Sequence, residues 1–157
     1  MLPPKLITLM DELLRVFDLE NGLESEYRMA QLQATAENSQ TRTRRSENSL
    51  LVLLAPKLNG AIERRAKYTW VVIRDIVLAL ELPINEDLSG ELKAEINRHL
   101  SATLRQAQSL LRKAANGQEN YPNEIAKINE NVFRKIEREV DQFCVESKTS
   151  PEKKTRS

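Results

Sequence analysis

Residues 50–82, LLVLLAPKLNGAIERRAKYTWVVIRDIVLALEL, are the densest apolar run of the chain and decide its fold. Leu50 to Leu54, then Leu58, Ala61, Ile62 and Ala66, then Trp70 to Ile73 and Ile76 to Leu80 follow one another with few polar breaks, and Pro83 stops the run. A segment this apolar must be covered by other parts of the chain. From Ala61 onward the inward line reads Ile62, Ala66, Trp70, Ile73, Val77 and Leu80, with Val71, Val72 and Leu78 pointing elsewhere. An apolar surface all round is the pattern of a central bundle helix or of a helix shared with a second subunit. Pro56 falls inside it and is expected to kink or restart the helix, with Asn59-Gly60 weakening the same place. Asn48 or Ser49 is the expected cap.

The flanks supply the cover. Pro3-Pro4 suits a helix start and Asn21-Gly22 a stop. Between them Leu6, Leu9, Met10, Leu13, Leu14 and Phe17 recur at helical spacing, widened by Ile7 and Val16, so this helix is expected to be mostly buried. Ser25 is the expected cap of a second helix with Tyr27, Ala30, Leu32 and Ala34 inward. Residues 37–48 contain no apolar side chain and read as either an exposed loop or a solvated helical extension, the loop being favoured because Ser, Thr and Asn compete with helical backbone bonds. After Leu82, Asn85 or Ser89 caps a helix with one clean face: Leu88, Leu92, Ile96, Leu100, Leu104, Ala107, Leu111 and Ala114. Asn116-Gly117 ends it. A last helix carries Ile125, Ile128, Val132, Ile136, Val140 and Phe143 inward.

The expected fold is therefore all-α: an antiparallel bundle of four to five helices with a kinked central helix, one domain over 1–146 and a disordered basic tail over 147–157. Composition agrees. In 157 residues, hydrophobic content is 40% and aromatic content 4%, with only four glycines, which disfavours an all-β domain. Leu82-Pro83 followed by Glu91-Leu92-Lys93-Ala94-Glu95-Ile96 resembles the strand-to-helix junction of ribbon-helix-helix repressors, with Val71 to Leu82 as the strand. Those repressors alternate polar side chains along the strand to read DNA, and this run is almost wholly apolar.

Chemistry is sparsely marked. The one cysteine, Cys144, excludes an internal disulfide, and with the one histidine, His99, it cannot complete a structural zinc site. Glu91, Glu95 and His99 lie four apart along one side of a helix, where they read as a solvated flank beside the Leu92–Ile96–Leu100 face rather than a metal site. No phosphate-binding glycine loop, activated nucleophile or signal peptide is visible. Arg74-Asp75 interrupts the best apolar window, so no membrane span is expected. No catalytic residue, metal or cofactor is expected, and the location is expected to be cytoplasmic.

Function is left to surfaces. The formal net charge of +1 gives no strong field, so recognition must be local. The leading expectation is a non-catalytic protein-interaction module, a self-associating subunit or adaptor of a larger assembly. Lys67, Val71, Arg74 and Leu78 form its candidate interface, since this outward line mixes apolar and charged groups. The alternative is a nucleic-acid-binding accessory subunit. Arg98, Arg105 and Arg112 recur every seven residues, with Lys113 beside the last, and no acid occurs between Ile96 and Gln118. With Arg42, Arg44 and Arg45 they would neutralise phosphates without reading bases.

Overall fold

The structure, a computed structural model, describes residues 2–41, 46–115 and 124–149. Five helices follow one another: α1 Pro4–Asn21, α2 Leu23–Thr41, α3 Ser46–Ala79, α4 Glu86–Ala115 and α5 Glu124–Thr149. No strand occurs among the described residues, and Val71 to Ala79 is helical, not extended.

α3 is the spine. Its 34 residues span about 51 Å. It continues through Pro56 without restarting, because Leu54 and Leu58 on either side are fully buried and packing overrides the lost backbone donor. α1 and α2 run along α3 in tandem and antiparallel to it. Leu2 shares a cleft with Leu82 and Leu88, Phe17 stacks on Tyr68 at 4.4 Å, Asp18 pairs with Arg65, and Glu26 pairs with Arg64. Rising numbers on one rod thus meet falling numbers on the other. α4 returns beside α3, where Arg65 reaches Thr103, and Lys113 sits 5.3 Å from the centroid of the Tyr27 ring. α5 returns beside α4: Ser89 Oγ and Lys93 Nζ, early in α4, both meet Asp141 Oδ1 late in α5. Trp70 of α3 packs edge-on against Phe143 of α5. The antiparallel bundle expected from the pattern is what forms.

The core includes Leu6, Met10, Leu14, Leu54, Leu58, Ile62, Ile73, Val77, Leu92, Ile96 and Leu111, all essentially without solvent contact. Truncating one of the leucines to alanine would cost about 2–5 kcal/mol. The α4 face is buried as read, with only Leu104 at its margin. Asn85 caps α4, its Oδ1 accepting the Leu88 N–H at 2.9 Å; Ser89 instead bonds to α5. Acids in the first turn and bases in the last complement the helix dipole.

Several expectations are corrected. α1 is not mostly buried: Leu6, Met10 and Leu14 face the core, while Leu9, Leu13, Val16 and Leu19 are exposed. The helix touches the bundle along one side, and its apolar arc is wider than that contact. α2 begins at Leu23, so Ser25 lies inside it rather than capping it, and Leu32 is exposed. The stretch read as a loop is largely helical: α2 reaches Thr41 and α3 begins at Ser46, leaving 42–45 outside the described residues. Polar residues there extend two helices whose neighbouring turns already pack. α5 continues to Thr149, past the expected boundary at 146, and the remainder of the tail lies outside the described residues, as do the Asn116-Gly117 stop and the side chains of Ile125 and Ile128.

Candidate interaction surfaces

Three surfaces carry groups that the core does not absorb. The first is a polar cleft between α1, α3 and α4, of about 360 Å³, lined by Asp11, Arg15, Asp18, Arg65 and His99 above Leu14 and Leu19. Arg65 organises its floor. Its Nε donates to Asp18 Oδ1 at 2.8 Å, its Nη2 to Asp18 Oδ2 at 3.0 Å and its Nη1 to Thr103 Oγ1 at 2.8 Å. Thr103 in turn donates to the His99 carbonyl at 2.9 Å, and Thr69 donates to the Arg65 carbonyl at 2.7 Å. Two buried threonines thereby spend their hydroxyls on helix carbonyls four residues back.

His99 Nε2 lies 3.3 Å from Glu95 Oε1, 3.5 Å from Asp11 Oδ1 and 3.2 Å from Arg98 Nη2. Arg98 also pairs with Glu95, very closely, and approaches Asp11. Burial lowers the His99 pKa from its ordinary value; the charge of Arg98 adds to this, Glu95 opposes it, Arg65 lowers it further and Asp11 opposes. The imidazole is therefore held neutral at physiological pH. Glu95 and His99 are not the solvated flank expected from their spacing: both side chains are mostly enclosed because α1 lies across them. Among the described residues no group of three or more His, Cys, Asp or Glu side chains is placed to hold a metal ion.

The second surface is a groove between α3 and α5 of about 410 Å³, with Trp70 and Phe143 among its walls. Lys67, Val71 and Arg74 line one side, and Glu139, Gln142 and Glu146 the other. Three of the four residues of the expected interface are thus brought together, and Leu78 stands exposed beyond them. The Arg74–Asp75 charges emerge at the surface here, 3.6 Å apart. Lys67 pairs with Glu63 one turn back at 3.1 Å. Leu54, Leu58, Ile62, Trp70, Val72, Ile73, Ile76 and Val77 of the apolar run are spent on the core, so it leaves less surplus surface than its composition implied.

The third surface is the outer flank of α1. Leu9 and Leu13 are each 40% exposed, Val16 54% and Leu19 73%. Single exposed leucines are ordinary on protein surfaces, but a row of them at helical spacing is not. The sequence signal was present only in part: Val16 widened the apolar arc of the first helix, whereas Leu9 and Leu13 belong to the pattern read as buried and Leu19 stands outside it.

The row of cations on α4 is less uniform than its spacing implied. Arg98 bends to Glu95 and Asp11 in the cleft, and Lys113 lies over Tyr27. Arg105 is exposed, whereas Arg42, Arg44 and Arg45 lie outside the described residues. No helix among the described residues is long and apolar enough to cross a membrane. Asp18, Arg65 and Thr103, which tie α1, α3 and α4 together, were not singled out by any motif. Their one signal was Arg65, a charge set beside the inward residues Ile62 and Ala66. Compared with protein-family models, with curated proteins and with solved structures, the chain finds no match.

Proposed function

We propose that this chain is a non-catalytic protein-interaction module, a self-associating subunit or adaptor of a larger assembly. The observation that carries the reading is the outer flank of α1, where Leu9, Leu13, Val16 and Leu19 stay in solvent while Leu6, Met10 and Leu14 on its inner side are buried in the bundle. Covering each of these side chains would contribute about 1 kcal/mol, since each is already partly shielded. Together they offset part of the cost of association, and the charged groups around them set which partner fits. The Lys67–Val71–Arg74 groove, with the Trp70 and Phe143 rings among its walls and opposing charges on its two sides, is a second place for a partner.

Sedimentation velocity over a series from low to high micromolar protein tests the reading. Mass that rises with concentration supports it, and a strict monomer at the top of the series overturns self-association. The phosphate-contact alternative keeps fewer supports, since two of its described cations, Arg98 and Lys113, are already committed within the fold.

A further inference from the structure

We infer that α1 pairs with α1 of a second copy of this chain, antiparallel about a two-fold axis between Glu12 and Leu13. This rests on the self-association proposed above and names its surface and register. One helical stripe of α1 carries the pairing. Lys5, Leu9, Val16 and Glu20 follow at spacings of four, seven and four, so they share one side of α1, with Leu13 beside them. All five are exposed. Neither Lys5 nor Glu20 has an ion pair among the described residues, although α1's other acids beside the cleft, Asp11 and Asp18, both meet cations.

The stripe is self-complementary. A two-fold contact requires that if one residue meets another, the second meets the first across the axis. Turned antiparallel on itself, α1 places Leu9 against Val16 and Lys5 against Glu20, twice each, and both pairings are centred on the same point. Leu13 then faces position 12 of the other copy, one residue from its own symmetry mate. The apolar positions coincide and the end charges are opposite, with Lys5 and Glu20 about 22 Å apart along the helix. Parallel pairing would set Lys5 against Lys5 and Glu20 against Glu20, which repel. A foreign partner would not need this symmetry; a second copy does. The Glu12–Arg15 ion pair, at 2.9 Å, closes the rim on the side away from Leu13. One 18-residue helix per copy makes a small interface, so dimerisation is concentration-dependent.

The test uses the full chain and charge reversal at exposed positions, with helical circular dichroism and the urea midpoint checking that each variant folds. Lys5→Glu and Glu20→Lys each alone set like charges against each other twice, and each is expected to weaken the dimer about tenfold. The double variant, and an equimolar mixture of the two single variants, are expected to return to the wild-type constant. Val16→Asp is expected to weaken it about a hundredfold, because a carboxylate would replace a covered methyl group in both copies. A wild-type dimer whose constant is unchanged in Lys5→Glu, Glu20→Lys and Val16→Asp overturns this register and surface while leaving self-association standing. A wild type that stays monomeric overturns both.

Discussion

Asp18 and Arg65 clasp α1 to α3 through two parallel hydrogen bonds, Nε to Oδ1 at 2.8 Å and Nη2 to Oδ2 at 3.0 Å. The two partners differ in how they would fare alone. The Arg65 side chain is 14% exposed and the Asp18 side chain 38%. Removing Asp18 strands an enclosed guanidinium with only the Thr103 hydroxyl to accept from it, whereas removing Arg65 leaves a carboxylate that water can reach. Asp18→Ala is therefore expected to cost about 2–3 kcal/mol and Arg65→Leu about 1 kcal/mol. Urea unfolding of the two variants measures the difference, and equal losses would show that the pair is solvated alike on both sides.

The junction between α1 and α2 depends on a missing side chain. Gly22 donates to the Asp18 carbonyl at 3.2 Å, and a Cβ on Gly22 would stand 2.5 Å from that same oxygen. The obstacle is backbone, so no rotamer relieves it. Gly22→Ala is expected to lose about 1–3 kcal/mol, a fall in melting temperature of about 2–4 °C per kcal/mol. Because the clash falls on Asp18, the Asp18–Arg65 pair should loosen with it. In a double-mutant cycle Gly22→Ala and Asp18→Ala should then cost less together than the two separately.

The end of α3 offers a change in the other direction. Leu82 N–H bonds to the Val77 carbonyl at 3.1 Å and Glu81 N–H to the Leu78 carbonyl at 3.2 Å, a Schellman closure. The turning residue, Glu81, has φ 53°, a left-handed conformation that favours glycine. Its side chain is exposed and no ion pair holds it among the described residues. Glu81→Gly is expected to stabilise the fold by up to about 1 kcal/mol, the relieved strain exceeding the added freedom of the unfolded chain. A lower urea midpoint would mean that Glu81 makes a contact worth more than its strain.

How far the sequence was legible follows from how local each signal is. The α4 face from Leu88 to Ala114 was readable because a single amphipathic helix on a bundle needs only its own period. The route of α3 through Pro56 was not, because the packing of Leu54 and Leu58 against distant helices outweighs a local breaker. Leu32 and the outer leucines of α1 carry the same apolar signature as buried ones, and only the width of the neighbouring contact separates them. Lys67, Val71 and Arg74 were legible as a surface line, yet the α5 wall that makes them a groove was not. Arg98 followed the seven-residue rhythm of Arg105 and Arg112, but its nearest acids, Glu95 and Asp11, draw it into the cleft. Glu95 and His99 sit at the edge of the α4 face, where sequence cannot say whether another helix lies across them.

That helix, α1, makes His99 the group through which acid should act on the fold. The surroundings are mixed: Asp11 on α1, Glu95 and Arg98 on α4, and Arg65 on α3. Burial and the two arginines outweigh the two acids, so the folded pKa lies below the ordinary value near 6.5. The unfolded chain then binds a proton that the folded chain resists. Stability is full above about pH 6.5 and declines as pH falls from there toward the folded pKa. Asp141 acts in a lower window: the hydrogen bond from Lys93 lowers its pKa, burial opposes, and the Ser89 hydroxyl and the Lys93 charge lower it further. Its contribution is therefore lost only as carboxylates protonate. Urea midpoints measured from about pH 7.5 down to about pH 5 should fall for the wild type, and His99→Gln should flatten that part of the curve. A wild-type midpoint that rises on acidification would mean that Asp11 and Glu95 close on the imidazolium more strongly than burial excludes it.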